Sequence, residues 1–199
     1  MGRSCDVEIV TGFLGWGKTS FIESYLDITS KWDDNTIILQ LENGRNQYDD
    51  EKLKKKNISV KRFKSLEQLD EKRFNRIMNF YEPKRIIIEL NCMVSINNII
   101  SKLKNFNLTR KIKIVDSIAI VDVMTVQIFM KNMSLIVQPN IMSADLIILN
   151  NCGKVSKKQK DEVRSMIESL NKHAHIIENK YKGEYEELRG SSLIRSVWR

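Results

Sequence analysis

Gly12-Phe13-Leu14-Gly15-Trp16-Gly17-Lys18-Thr19 is an octet with a defined chemical use. It fits the pattern G-x-x-x-x-G-K-[ST] at every fixed position, the signature of a phosphate-binding loop. A glycine-rich turn between a strand and a helix lets backbone N–H groups converge on a polyphosphate. Lys18 then sets an ammonium against the β and γ phosphates, and Thr19 offers a hydroxyl to Mg²⁺. The candidate nucleotide contacts are Gly12, Gly15, Trp16, Gly17, Lys18, Thr19 and Ser20. Trp16 is bulky for its place in the loop. It either shields the site, meets a partner or packs over the loop. A chance glycine-rich turn is the competing reading. It is disfavoured because a strand-like run, Val7-Glu8-Ile9-Val10-Thr11, precedes the octet and the amphipathic stretch from Ser20 to Leu26 follows it.

Further positions carry chemistry beside such a loop. Glu89 ends the apolar run Arg85-Ile86-Ile87-Ile88-Glu89-Leu90, and a carboxylate at the end of a central strand holds Mg²⁺ or its water. The plainer alternative is an exposed strand end. Glu42-Asn43-Gly44 follows the run from Thr36 to Leu41. Glu42 is the catalytic candidate, orienting the attacking water or a metal-bound one. An Asn-Gly turn with an incidental acid is equally compatible. Asn150-Asn151-Cys152-Gly153 follows the run from Leu146 to Leu149. GTPases carry Asn-Lys-x-Asp there, which makes Asn150 the candidate base contact. Gly153 supplies no carboxylate for the guanine edge. Charge-assisted bonds of up to ~3 kcal/mol each are thereby lost, and guanine preference weakens. A simple turn explains Gly153 as well. His173 and His175, two apart, lack a third ligand nearby and read as a structural pair. Cys92 and Cys152 each follow a core strand and read as buried small hydrophobes.

These residues need a scaffold, and strand and helix signals alternate along the chain. Ile58–Phe63 alternates with period two, as a short edge strand does. Phe74, Ile77, Met78 and Tyr81 mark one face of a helix that stops before Pro83. Ser95 and Ser156 are placed to cap helices carrying Ile99, Ile100 and Leu103, and Val163, Met166, Ile167 and Leu170. Further strands are expected at Ser117–Asp122, Leu146–Asn150 and His175–Ile177. This order predicts an α/β fold, a doubly wound, mainly parallel sheet of the P-loop NTPase type. Residues 1–199 read as one nucleotide-binding domain, with 180–199 a charged C-terminal extension.

With 199 residues, 42% of them hydrophobic, the chain can bury a sizeable core. No apolar run approaches the ~20 residues of a membrane span. No signal peptide precedes the first strand, and three widely spaced cysteines suit a reducing cytoplasm. The net charge of +8 raises the question of nucleic acid, but the lysines are scattered and no aromatic residues interleave with them. A solvated basic surface is favoured.

The run Val10–Thr19 resembles the opening V/L-T-G-F-L-G-x-G-K-T of the CobW-type P-loop GTPases, relatives of the hydrogenase and urease nickel-insertion GTPases. Glu42-Asn43-Gly44 with Asp49 is similar to the family's N-E-x-G-x-x-x-x-D segment, with Leu41 in place of the Asn. Ile88-Glu89-Leu90-Asn91-Cys92 resembles I-E-T-[TS]-G, with Cys92 where the family has Gly. Val121-Asp122 and Ala144–Asn150 are similar to V-D-A and A-D-x-x-x-x-N. The resemblance spans roughly residues 5–178. The chain reads as a short, divergent member. Lys64-Ser65-Leu66-Glu67-Gln68 stands where the family has Cys-x-Cys-Cys, and no counterpart of its C-terminal second domain is seen.

The resemblance implies Mg²⁺-dependent GTP binding with slow hydrolysis, ATP being the alternative nucleotide. It further implies a cytoplasmic accessory role toward a metalloprotein or corrinoid-related client. Relatives of this class act as dimers, so a homodimer is compatible. Two rival readings remain open at this level: a non-hydrolysing regulatory or scaffold module, and an ATP-using ATPase or kinase.

Overall fold

The computed structural model describes residues 4–30, 35–41, 47–181 and Tyr185. Its centre is a parallel sheet of seven strands: β1 (Cys5–Thr11), β2 (Thr36–Gln40), β3 (Ile58–Arg62), β4 (Arg85–Glu89), β5 (Ile112–Asp122), β6 (Leu146–Asn150) and β7 (His175–Glu178). Their order is β3-β2-β4-β1-β5-β6-β7, and every neighbouring pair is parallel. All residues of β2, β4 and β6 are buried, as expected where helices cover both faces of a parallel sheet. The expected edge strand is β3. The strand expected at Ser117 begins earlier, at Ile112, because its first residues pair with β1 across a register shift between Val7 and Glu8.

The helices are α1 (Lys18–Thr29), α2 (Asp50–Lys54), α3 (Glu71–Tyr81), α4 (Ile96–Lys104), α5 (Val126–Met142) and α6 (Lys157–Leu170). Ser95 and Ser156 cap α4 and α6, accepting from the Asn98 and Gln159 backbone N–H groups. α3 ends at Glu82 in the left-handed conformation, just before Pro83. Neither α2 nor α5 has an apolar stripe in the sequence. α2 is a single short turn. α5 is apolar on most sides, holds Pro139 and breaks at Met133, so a single helical period does not describe it.

A buried ion pair fastens the first unit. Arg85 Nη2 lies 2.7 Å from Glu8 Oε2, its Nη1 donates to Thr29 Oγ1 at 2.8 Å, and its guanidinium stands 4.8 Å over the Tyr25 ring. Tyr25 donates to the other Glu8 oxygen at 3.3 Å. β1, β4 and α1 are thus joined through one carboxylate. On the far side of β1, Asp116 is the registered partner of Glu8. Burial, then the Glu8 and Asp145 charges, push its carboxyl up to about 7.

Arg85→Met is expected to cost about 3–5 kcal/mol in urea denaturation, because Glu8 is left as an uncompensated buried charge. Asp116 adds a pH dependence. Between its ordinary value of 3.8 and about 7 the native state holds a proton that the unfolded chain has released. Stability contributed there falls as pH rises through that window. The urea midpoint of Asp116→Asn should decline less between about pH 4 and pH 7 than that of the unaltered chain.

Candidate nucleotide site

The loop between β1 and α1 is shaped by close backbone approach. Gly12 has φ +151, and a Cβ on it would sit 2.6 Å from the Ile120 carbonyl oxygen of β5. The glycine lets the loop leave β1 in contact with its neighbouring strand. Lys18, the first residue of α1, is buried. Its Nζ donates to the Gly12 and Phe13 carbonyls at 2.7 and 3.1 Å, which draws the ammonium inside the loop. Trp16 is buried too. Its indole N–H donates to Thr125 Oγ1 at 3.0 Å, and its ring meets Phe129 of α5 edge-on at 5.4 Å and Phe13 at 5.0 Å. Of the uses considered for this side chain, packing is the one its surroundings match. It ties the loop to the start of α5.

Glu89 lies beside the loop because β4 is next to β1, with Glu89 in register with Val10. Its carboxylate is almost wholly buried and accepts three hydrogen bonds. Thr19 Oγ1 donates to Oε1 at 2.8 Å; Gln40 Nε2 and Tyr48 OH donate to Oε2 at 3.0 and 2.8 Å. Burial raises its pKa, while the Thr19 bond, the Lys18 charge and the Tyr48 and Gln40 bonds pull it back. The same contact drives the Tyr48 phenol well above its ordinary value, through burial first and the Glu89 charge second. A hydroxyl and a carboxylate held together are hard oxygen donors of the kind Mg²⁺ takes.

Across the sheet edge, Asn150 links two loops. Its Nδ2 donates to Trp16 O at 2.8 Å and to Tyr185 OH at 2.9 Å, and its Oδ1 accepts from Asn179 at 2.9 Å. Asn151, in the left-handed region, donates to Asp122 Oδ2 at 2.9 Å. The loop after β4 is held from the other side. The Cys92 N–H donates to Gly12 O at 3.3 Å, while buried Asn140 of α5 donates to Cys92 O at 2.8 Å and accepts from the Ile96 N–H at 3.0 Å.

The structure therefore gathers Gly12, Gly15, Trp16, Gly17, Lys18, Thr19, Ser20, Glu89 and Asn150 at one edge of the sheet, where open α/β folds bind ligands. Glu42, with Asn43 and Gly44, lies outside the described residues. Asp49, the acid matched to the same family segment, caps α2 by accepting from the Lys52 N–H at 3.0 Å. Among the described residues no group of three His, Cys, Asp or Glu side chains is arranged to hold a metal ion. The Cys92 and Cys152 sulfurs face the Ile136 and Leu149 carbonyls. Sequence reasoning missed Gln40, Tyr48, Asn140 and Tyr185. Only Gln40 left a signal, a polar residue closing an otherwise apolar strand.

Comparison with known proteins agrees with this architecture. The family model for the CobW/HypB/UreG nucleotide-binding domain matches residues 6–178. Among solved structures, the Zn(II)-bound YjiA GTPase from E. coli is similar at 20% identity and TM-score 0.67, over 88% of this chain and 57% of that one. HypB, a hydrogenase maturation factor from Archaeoglobus fulgidus, is similar at 20% identity and TM-score 0.64, over 99% of this chain and 91% of that one. HypB from Helicobacter pylori, in complex with nickel, follows at 16% identity and TM-score 0.57, over 99% and 90%. The chain thus spans less than two thirds of the length of YjiA and about nine tenths of HypB. The sequence search of curated proteins finds no significant match. A phosphate-loop octet on a seven-stranded parallel sheet, matched by the family model across most of its length, places this chain in the CobW/HypB/UreG family of P-loop nucleotide-binding domains.

Proposed function

We propose that this domain binds a Mg²⁺–nucleoside triphosphate, GTP being the family's nucleotide, and hydrolyses it slowly by itself. The observation that carries this reading is the 2.8 Å contact between Thr19 and Glu89 beside a lysine drawn into the phosphate loop. On binding, the Lys18 ammonium would exchange its carbonyl partners for phosphate oxygens. Thr19 and Glu89 would hold Mg²⁺ directly or through its waters, and the metal would neutralise charge developing on the transferred phosphoryl group. Gln40 and Tyr48 keep the carboxylate oriented from its far oxygen. Glu42 is the residue proposed to position the attacking water.

A protein partner fits the surroundings. Leu14 of the phosphate loop, Met93 after β4, Met124 after β5, and Ile128 and Leu135 of α5 are all exposed. Exposed apolar side chains on three loops of one sheet edge and on the adjoining helix support a partner surface there. The similarity to Zn(II)-bound YjiA and nickel-bound HypB supports a client that is a metalloprotein or a metal-cofactor system.

One arrangement favours a second reading, a nucleotide-holding module with little turnover. The amide after β4 that would sense a γ-phosphate belongs to Cys92 and donates to Gly12, while Asn140 fastens the Cys92 carbonyl to α5. A loop secured on both sides resists the rearrangement that switching needs. Nucleotide binding without phosphate release would select this reading.

Titration calorimetry with Mg²⁺–GTP, run beside a phosphate-release assay, tests the proposal. Lys18→Ala should abolish binding; unaltered affinity would refute the phosphate-loop assignment. Glu89→Gln keeps the hydrogen-bonding shape and removes the charge. It should lower GTP affinity about tenfold or more in Mg²⁺ and little in EDTA.

A further inference from the structure

The loop after β6 is the other segment of this edge positioned to meet a nucleotide, and Asn150 joins it directly to the phosphate loop. Its neighbour is the segment after β7. Cys152 N–H donates to Asn179 O at 3.0 Å and Gly153 N–H to Lys180 O at 2.9 Å. Asn179 Nδ2 donates to Tyr181 O at 2.6 Å as well as to Asn150. The two segments are zipped together, and this places the Tyr181 ring over Gly153. A Cβ on residue 153 would lie 2.9 and 3.0 Å from Tyr181 ring carbons and 3.1 Å from the Lys180 carbonyl oxygen. Gly153 is more than a missing carboxylate, because the space its side chain would enter is filled by an aromatic ring. Tyr181 as a residue remains 38% exposed.

The two asparagines of this loop read a base poorly. Both Asn150 amide hydrogens are committed, to Trp16 and to Tyr185. The Asn151 amide donates to Asp122, and its buried Oδ1 accepts no hydrogen bond among the described residues. A neutral amide oxygen accepts a hydrogen bond from an exocyclic amine or a ring N–H alike, whereas a carboxylate rewards the paired donors of guanine. An aromatic surface is equally tolerant, since every base offers a π-face.

Resting on the phosphate-site reading above, we propose that this domain accepts purine nucleoside triphosphates with little discrimination between guanine and adenine. The Tyr181 phenol ring fills the place where a guanine-reading carboxylate would stand, and its hydroxyl, donor and acceptor alike, suits either base. Binding free energy then comes from the triphosphate, the metal and contact with the ring.

Competition calorimetry on the full chain with Mg²⁺–GTP, Mg²⁺–ATP and magnesium tripolyphosphate tests this. The expected result is GTP and ATP affinities within about threefold of each other, against the ~10⁴-fold or more that a hydrogen-bonding site can impose. Tyr181→Ala should weaken both nucleotides by about tenfold, and more than it weakens tripolyphosphate. Gly153→Asp combined with Tyr181→Ala removes the ring clash, leaves the tight 3.1 Å approach to the Lys180 carbonyl oxygen, and supplies the carboxylate. It should raise the GTP-to-ATP preference about tenfold or more. A preference for GTP above about thirtyfold in the unaltered chain, with tripolyphosphate bound, overturns the inference while leaving the phosphate site standing. Failure of all three ligands to bind overturns the phosphate-site reading and this inference with it.

Discussion

Glu89 is the group on which the nucleotide edge depends. Its buried carboxylate receives α1 through Thr19, β2 through Gln40 and the segment before α2 through Tyr48. A buried carboxylate is costly unless its lone pairs are occupied, so the segments that supply those donors are held in place by that cost. The strand order makes this economical. β4 lies between β1 and β2, which brings the end of one strand into register with the start of the phosphate loop and with the end of another. Glu8 performs the corresponding task within the core, closing β1, β4 and α1 around the Arg85 guanidinium.

Buried amides make the second set of contacts, and one of them, Asn151, donates to the buried Asp122 carboxylate. Asn140, Asn150, Asn151, Asn171 and Asn179 are all buried. Asn140 joins the loop after β4 to α5, and Asn150 joins the phosphate loop to the segment before Tyr185. Asn171 donates to the Ile141 and Ala144 carbonyls at 2.8 and 2.9 Å, closing the end of α5 onto α6. An amide carries donors and an acceptor on one short side chain, so a single residue can satisfy two loop segments without burying net charge. Trp16 adds an apolar lock between the phosphate loop and α5. The consequence is a loop cluster braced by internal partners. Under the proposed function, such bracing would pre-form the phosphate cradle and restrain movement in response to a γ-phosphate.

Much of this was legible in the chain. Strands such as Ile86-Ile87-Ile88 announce themselves because a parallel sheet covered on both faces needs unbroken apolar runs. Ser95 and Ser156 announce helix starts because a hydroxyl there satisfies an orphan N–H. α5 was silent: its apolar residues face outward as well as inward, and Pro139 and the break at Met133 blur any period. Tyr48 was silent because a lone tyrosine outside a regular element gives no hint of a carboxylate 41 residues away in sequence.

The octet from Gly12 to Thr19, the alternation of strands and helices and the position of Glu89 after an apolar run are local facts, set by spacing and residue type. They determined the fold class, the phosphate loop and its acidic companion. Which donors surround Glu89, where the Trp16 ring lies, and that Tyr181 fills the space beside Gly153 were decided only by the tertiary structure. Those contacts join residues from 28 to 109 positions apart, and nothing in a linear pattern reports which side chains the strand order will bring together.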